Sequence, residues 1–184
     1  MKVKNPWQIK NKKRIYDNPW IELTHFEVLN YAEKPGIYGK IHFKNIAIGI
    51  LPLDDKMNTW IVGQYRFPLD QYSWEIPEGG GKIGINPLVS AQRELKEETG
   101  IVAKEWKEVL RLHTSNSVSD ELGIIYLAKG LSFFEAEPDE DEDLCIRKIP
   151  FSQLVEMVMK GEITDSLSVA AVLKVKLLLD SDKL

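Results

Sequence analysis

The chain has 184 residues, 43% of them hydrophobic and 28% charged, and carries a formal net charge of −4. These values fit one globular domain with, at most, a small accessory lobe. The acidic balance argues against a nucleic-acid backbone as partner, since that needs a basic face.

A polyanionic small substrate, by the same reasoning, needs metal ions to offset its charge. Cys145 is the only cysteine, which excludes an intrachain disulfide and a cysteine-based zinc site. It reads most simply as a small buried apolar residue. The opening MKVKNPWQIK has no apolar run, and no window approaches the ~18 apolar residues of a spanning helix. The expectation is a cytoplasmic protein with neither a membrane nor a nucleic acid as partner.

Residues 1–45 read as a β-rich subdomain. Asp17-Asn18-Pro19 marks a turn before a strand over 20–29, and Lys34-Pro35-Gly36 marks another before a strand over 37–43. The apolar runs IAIGILPL (46–53) and TWIVGQY (59–65) flank Asp54-Asp55-Lys56-Met57-Asn58, which predicts a hairpin. Trp74-Glu75-Ile76-Pro77 then leads into Glu78-Gly79-Gly80-Gly81, read as a loop with unusual backbone freedom. Pro87 suits the first turn of a helix over 87–98 capped by Asn86, with Leu88, Val89, Ala91 and Leu95 near one face. Gly100 stops that helix in a left-handed conformation. Strands are expected over 106–112, 122–128 and 146–150, and amphipathic helices over 152–160 and 165–179.

Within the first helix, Glu94, Glu97 and Glu98 stand at i, i+3 and i+4, so all three project to one side over a single turn. Arg93 lies four residues before Glu97 and can pair with it. Oxygen-rich clusters of this kind suit hard divalent cations, magnesium above all. Glutamate-rich helix ends are also an ordinary solvated surface. Further on, residues 135–143 hold seven carboxylates in nine positions, which alone reads as a solvated loop. Its Asp139, Asp141 and Asp143 imitate a calcium loop, but Leu144 stands where glycine is required and Pro150 where glutamate is. His25, His42 and His113 have no local context that would build a serine-histidine-acid triad.

The segment 79–101 resembles the Nudix hydrolases, whose box reads G-x5-E-x7-R-E-U-x-E-E-x-G-U with U a bulky aliphatic residue. Gly79 takes the opening glycine, and Arg93-Glu94-Leu95-Lys96-Glu97-Glu98-Thr99-Gly100-Ile101 matches the second half. Ile85 departs, standing where the family has a glutamate that mainly braces the loop and helix. Tyr16-Asp17-Asn18-Pro19-Trp20, Gly63-Gln64-Tyr65-Arg66-Phe67-Pro68, Trp74-Glu75-Ile76-Pro77 and Ser119-Asp120-Glu121 are similar to the ADP-ribose and nucleoside-diphosphate-sugar pyrophosphatase branch. So are Asp139-Glu140-Asp141-Glu142-Asp143 and Gly161-Glu162-Ile163 with Asp165.

The resemblance implies an α+β protein: a Nudix-type α/β/α sandwich with a mixed β-sheet over 46–184, preceded by an antiparallel β-subdomain over 1–45. That subdomain would form a homodimer and help bind the base. The implied activity is Mg2+-dependent hydrolysis (Mn2+ as substitute) of the pyrophosphate bond of a nucleoside diphosphate sugar, ADP-ribose foremost. A dinucleotide or nucleoside triphosphate substrate, or a regulator that binds nucleotide sugars without hydrolysing them, are the alternatives. Glu94 and Glu98 would be the principal metal ligands, Glu97 would share in metal binding and catalysis, and the backbone carbonyl of Glu78 would complete the site. Aligning the acidic loop on Asp143 makes Glu140 the general base, with Glu142 next as base or ligand. Trp20 is a candidate to stack on the base, with plain packing as its alternative. Arg66 is a candidate to contact substrate phosphate, with pairing to a carboxylate as its alternative.

Overall fold

A computed structural model describes residues 4–137 and 143–184, and the chain divides into two compact units. The first runs up to Asn45 and includes the distant segment His113–Glu121; the second comprises Ile46–Leu112 and Leu122–Leu184.

The first unit is an antiparallel sheet of β1 (Gln8–Asp17), β2 (Ile21–Leu29) and β3 (Pro35–Phe43), in that order. Asparagine side chains build both turns. Asn18 Oδ1 accepts from the N–H groups of Trp20 and Ile21 at 2.8 and 2.7 Å, and Asn30 Oδ1 accepts from those of Ala32 and Lys34 at 2.9 and 3.0 Å. The register of β1 shifts between Ile9 and Asn11 and again between Arg14 and Tyr16. Such irregularities bend an edge strand and hinder further pairing. Along β3, Ile41 N–H donates to Val118 O at 2.8 Å and Asp120 N–H to Ile41 O at 3.2 Å. The Asp120 carboxylate fastens this segment, accepting from Phe43 N–H at 3.0 Å and meeting Lys40 Nζ at 2.6 Å and His42 Nδ1 at 2.8 Å. Val28 is the one buried hydrophobic residue described in this unit, while Ile9, Ile15, Tyr16, Trp20 and Ile37 are exposed.

The second unit holds β4 (Asn45–Pro52), β5 (Asn58–Arg66), β6 (Gln71–Glu75), β7 (Glu78–Lys82), α1 (Pro87–Thr99), β8 (Ile101–His113), β9 (Leu122–Phe133), β10 (Cys145–Pro150), α2 (Phe151–Met159) and α3 (Ser166–Asp180). One sheet has the order β10-β5-β6 and is antiparallel; the other, a mixed sheet, has the order β7-β4-β9-β8, with β4 and β9 parallel. On one face of β4, Ile48 and Ile50 share a core with Ala91 and Leu95 of α1. On the other, Leu51 shares a core with Leu154 of α2 and Val172 of α3. Burial on both faces is why β4 reads as an unbroken apolar run.

The structure corrects four expectations. β4 and β5 do not form a hairpin: they enter different sheets, and a single bridge at Leu53 and Thr59 links them beside the Asp54 turn. In its sheet, β4 stands between β7 and β9, leaving no edge for β5. The glycine run is strand β7 rather than a loop. Val89 is exposed and lies off the core face of α1. Cys145 is exposed on β10, not buried. Among the described residues no helix is long and apolar enough to cross a membrane.

Burial pushes the Asp120 carboxyl up, but hydrogen bonds from Lys40, His42 and Phe43 N–H outweigh it and hold it at about 2. A carboxyl depressed in the folded state adds stability that is complete above its unfolded value, near ~3.9, and is lost as the pH falls toward the folded value. Asp120→Asn is expected to lower the thermal midpoint at neutral pH by about 2–4 °C. The gap to wild type should close between about pH 4 and pH 2. Circular-dichroism melts across that range check it, and a gap independent of pH would remove Asp120 as the fastening group.

Candidate active site

Asn86 Oδ1 accepts from Leu88 N–H at 3.1 Å to start α1, and Gly100, at φ 69°, ends it with its N–H on Lys96 O at 2.8 Å. Between them, Ser90, Ala91, Glu94, Leu95, Glu98 and Thr99 are the buried residues of the helix. Two of these six are acidic, and Glu98 is only 2% exposed. Glu97 projects beside the stripe and is a third exposed.

Room for Glu94 comes from Gly79 on β7, where a Cβ would overlap the Glu94 carboxylate. Gly79 is not among the glycines with positive φ, so its contribution is the missing side chain rather than backbone freedom. Arg93 spans helix and strand. Its Nη1 meets Glu97 Oε2 at 2.5 Å, and its Nη2 donates to Gly80 O at 3.1 Å and to Glu94 Oε1.

The corner from Glu75 to Glu78 is anchored from four elements. Ile76 N–H donates to Ser168 Oγ of α3 at 2.9 Å, and Ile50 N–H of β4 donates to Pro77 O at 2.8 Å. Glu78 N–H donates to Glu98 Oε2 of α1 at 3.0 Å. From the end of β5, Arg66 Nε donates to both Glu75 oxygens at 3.0 and 3.1 Å, while Nη2 bonds Glu75 Oε2 and, at 2.8 Å, Glu78 Oε1. Glu78 Oε2 is closed off from solvent with no hydrogen-bond partner among the described residues. Burial pushes the Glu78 carboxyl well above the usual range; the charges of Asp165 and Glu75 add to this and Arg66 opposes it.

Glu78, Glu94, Glu97 and Glu98 thus gather at one junction of β7 and α1. Arg66 reaches that junction, but its guanidinium is engaged by Glu75 and Glu78. Trp20 belongs to the first unit and is 66% exposed after the Asn18 turn. Ile85 is exposed past the end of β7, and strand and helix are instead braced by Arg93 on Gly80 O and by Glu98 on Glu78 N–H. After β9, Phe134 N–H donates to Gly100 O at 2.8 Å and Glu137 N–H to Glu97 O at 2.9 Å, so the chain leaves for the acidic segment from the last turn of α1. Glu140 and Glu142 lie outside the described residues. Sequence reasoning gave no role to Glu75 or Ser168, whose partners stand 9 and 92 residues away; no local signal marks either.

The donor chemistry at the junction fits a hard divalent cation: carboxylate oxygens, with a cradle that a Cβ on Gly79 would fill. Among the described residues no three His, Cys, Asp or Glu side chains converge as a metal site. Arg93 instead supplies the positive charge between Glu94 and Glu97.

Gly79→Ala is expected to push the Glu94 carboxylate, the end of a flexible side chain, out of its place at a cost of about 1 kcal/mol or less in stability, read by denaturant unfolding and by a crystal structure of the variant. A Glu94 carboxylate unmoved in that variant would show that it does not need the space.

A NUDIX domain model matches residues 43–165. The ADP-ribose pyrophosphatase of Mycobacterium tuberculosis is 35% identical over 133 residues, 70% of this chain and 64% of that protein. The ADP-ribose pyrophosphatase of Bacillus subtilis is 33% identical over 128 residues, 68% of this chain and 69% of that protein. In fold, the chain is similar to a crystal structure of an ADP compounds hydrolase, with a TM-score of 0.86 at 19% identity over the full length of both. With the domain match covering most of the chain and these relatives beside it, the chain belongs to the Nudix family, in the branch of its ADP-ribose pyrophosphatase relatives.

Proposed function

We propose that this protein hydrolyses the pyrophosphate bond of a nucleoside diphosphate sugar, ADP-ribose being the first substrate to try. The products would be a nucleoside monophosphate and a sugar phosphate, and the reaction would require Mg2+, with Mn2+ as a substitute. The observation that carries this reading is the pair Glu94 and Glu98: acids at core-facing positions of α1, one of them packed where Gly79 has no side chain. Packing alone would favour leucine there.

Glu94 and Glu98, with Glu97 and the backbone carbonyl of Glu78, would hold the cation, and Arg93 would give up contacts to Glu94 and Glu97 in exchange. When bound, such an ion offsets diphosphate charge and lowers the pKa of water toward neutrality. Glu140 would take the proton from the attacking water, with Glu142 next in line, an assignment that rests on the resemblance of the acidic segment. Trp20 offers an exposed aromatic face for the base. The sparse core and exposed apolar side chains of the first unit support a homodimer through that sheet.

ADP-ribose and a panel of other nucleotide sugars, dinucleotides and nucleoside triphosphates should be assayed with Mg2+, with Mn2+ and with chelator. Turnover of ADP-ribose only with metal is the expected result, and no turnover of any member would end the enzyme reading. Glu98→Gln should abolish metal-dependent turnover while the far-UV spectrum stays unchanged; wild-type rates in that variant would refute the ligand assignment. Glu140→Gln should cut kcat by about 10²–10⁴-fold with KM little changed. If Glu142→Gln is the crippled variant instead, the base is Glu142.

A further inference from the structure

Within two residues the chain passes from one sheet of the second unit to the other. β6 ends at Glu75 and β7 begins at Glu78, so Ile76 and Pro77 belong to neither strand. Proline has no N–H, which leaves the amides of Ile76 and Glu78 as the donors of this crossing. Each is taken by a side chain from a different helix: Glu78 N–H by Glu98 Oε2 of α1 at 3.0 Å, and Ile76 N–H by Ser168 Oγ of α3 at 2.9 Å. Those helices pack on opposite faces of β4. The crossing is therefore held from both layers, and Ser168 holds it from the layer that lacks Glu94 and Glu98.

Packing gives position 168 no reason to be serine. It is fully buried beside Leu167, Ala171 and Val172, where alanine would fill nearly the same volume with better helix propensity and no buried hydroxyl. Its backbone is fixed in turn, since Ser168 N–H donates to the capping carboxylate of Asp165 at 2.7 Å. The Ile76 side chain is fully buried against Gly49 of β4, where a Cβ would meet Ile76 Cδ1 at 3.0 Å and Leu167 Cδ2 at 3.3 Å. The start of α3, the crossing and β4 are thus interlocked at Ile76.

We infer that Ser168 is a positioning residue for cation binding: its hydroxyl, anchored by the Asp165 cap, fixes Ile76 and thereby sets the backbone of Glu78 against Glu98. The inference rests on the reading of Glu94, Glu98 and the Glu78 carbonyl as cation ligands. Without its acceptor the Ile76 N–H would be buried and unsatisfied, and the crossing would shift to find another partner. Glu78, two residues on, would shift with it. A carboxylate can re-aim by changing rotamer, but a backbone carbonyl cannot. Its place depends on how the chain is held on either side.

The test titrates wild type, Ser168→Ala, Ser168→Cys and Val175→Ala with Mn2+ in the absence of substrate, followed by electron paramagnetic resonance, and measures kcat and KM for ADP-ribose at saturating Mn2+. Ser168→Ala is expected to bind Mn2+ about tenfold more weakly, the low end of what outer partners of metal ligands contribute, with KM within about threefold of wild type. Ser168→Cys keeps the volume and offers a weaker acceptor, so its loss should be smaller than that of alanine but still about threefold or more. It carries the test if the alanine variant does not fold. Val175→Ala removes buried apolar volume from α3 two turns further on. It should lower the melting midpoint while keeping Mn2+ affinity within about threefold of wild type. A loss below about threefold in Ser168→Ala would overturn the inference and leave the bond purely structural. An equal loss in Val175→Ala would overturn it too, as general loosening of α3. Failure of the ligand reading itself would be seen separately, as undiminished Mn2+ binding by Glu98→Gln.

Discussion

The hydrogen bond from Glu78 N–H to the Glu98 carboxylate joins β7 to α1, and much of the site is arranged around it. A carboxylate on the core side of a helix costs several kcal/mol unless it is hydrogen-bonded or paired. Here the same bond that satisfies Glu98 fixes the start of the adjacent strand. Ala91 and Leu95 turn the helix so that Glu98 faces that strand, and the missing Cβ of Gly79 lets Glu94 approach beside it. Gly100 then closes the helix and leaves room for the Phe134 backbone to cross its end, since a Cβ there would overlap Phe134 O.

Charge at the junction is unevenly balanced. Glu75, Glu78, Glu94, Glu97 and Glu98 stand around two arginines, Arg66 and Arg93, each shared between two carboxylates. The Arg93 side chain is nearly half exposed and that of Arg66 a third exposed, but the Glu75 partner of Arg66 is buried. An ion pair between exposed groups exchanges for solvent at little cost, while one that satisfies a buried carboxylate is costlier to break.

The first unit is organised by a different rule. With Val28 as its one described buried hydrophobic residue, it relies on asparagine turns, on a ladder of strand hydrogen bonds, and on Asp120 holding a distant segment along β3. Three strands with so little buried apolar surface gain from being covered. That is the physical ground for reading the sheet as a subunit interface.

Helix α1 was legible from the sequence in nearly all its parts. Asn86, Pro87 and Gly100 bound it because capping and chain reversal are local chemistry, and the spacing of Glu94, Glu97 and Glu98 follows from the helical repeat alone. The order of strands was not legible in the same way. The runs 46–53 and 59–65 each carry a strand signal, but a strand records its own burial and not the identity of its neighbour, so the expected hairpin gave way to two sheets. Cys145 and Val89 were misplaced for a related reason, since apolar chemistry does not say which face of an element meets the core. The glycine run likewise named the place but not the cause: only the position of Glu94 across the junction shows that Gly79 matters for its missing Cβ. The sequence by itself determined which carboxylates share a helical turn, because that depends on residues within one element. Only the tertiary structure decided that Glu98 holds Glu78, that Ser168 holds Ile76 and that Arg66 serves Glu75 and Glu78, because those contacts cross between elements that packing alone brings together.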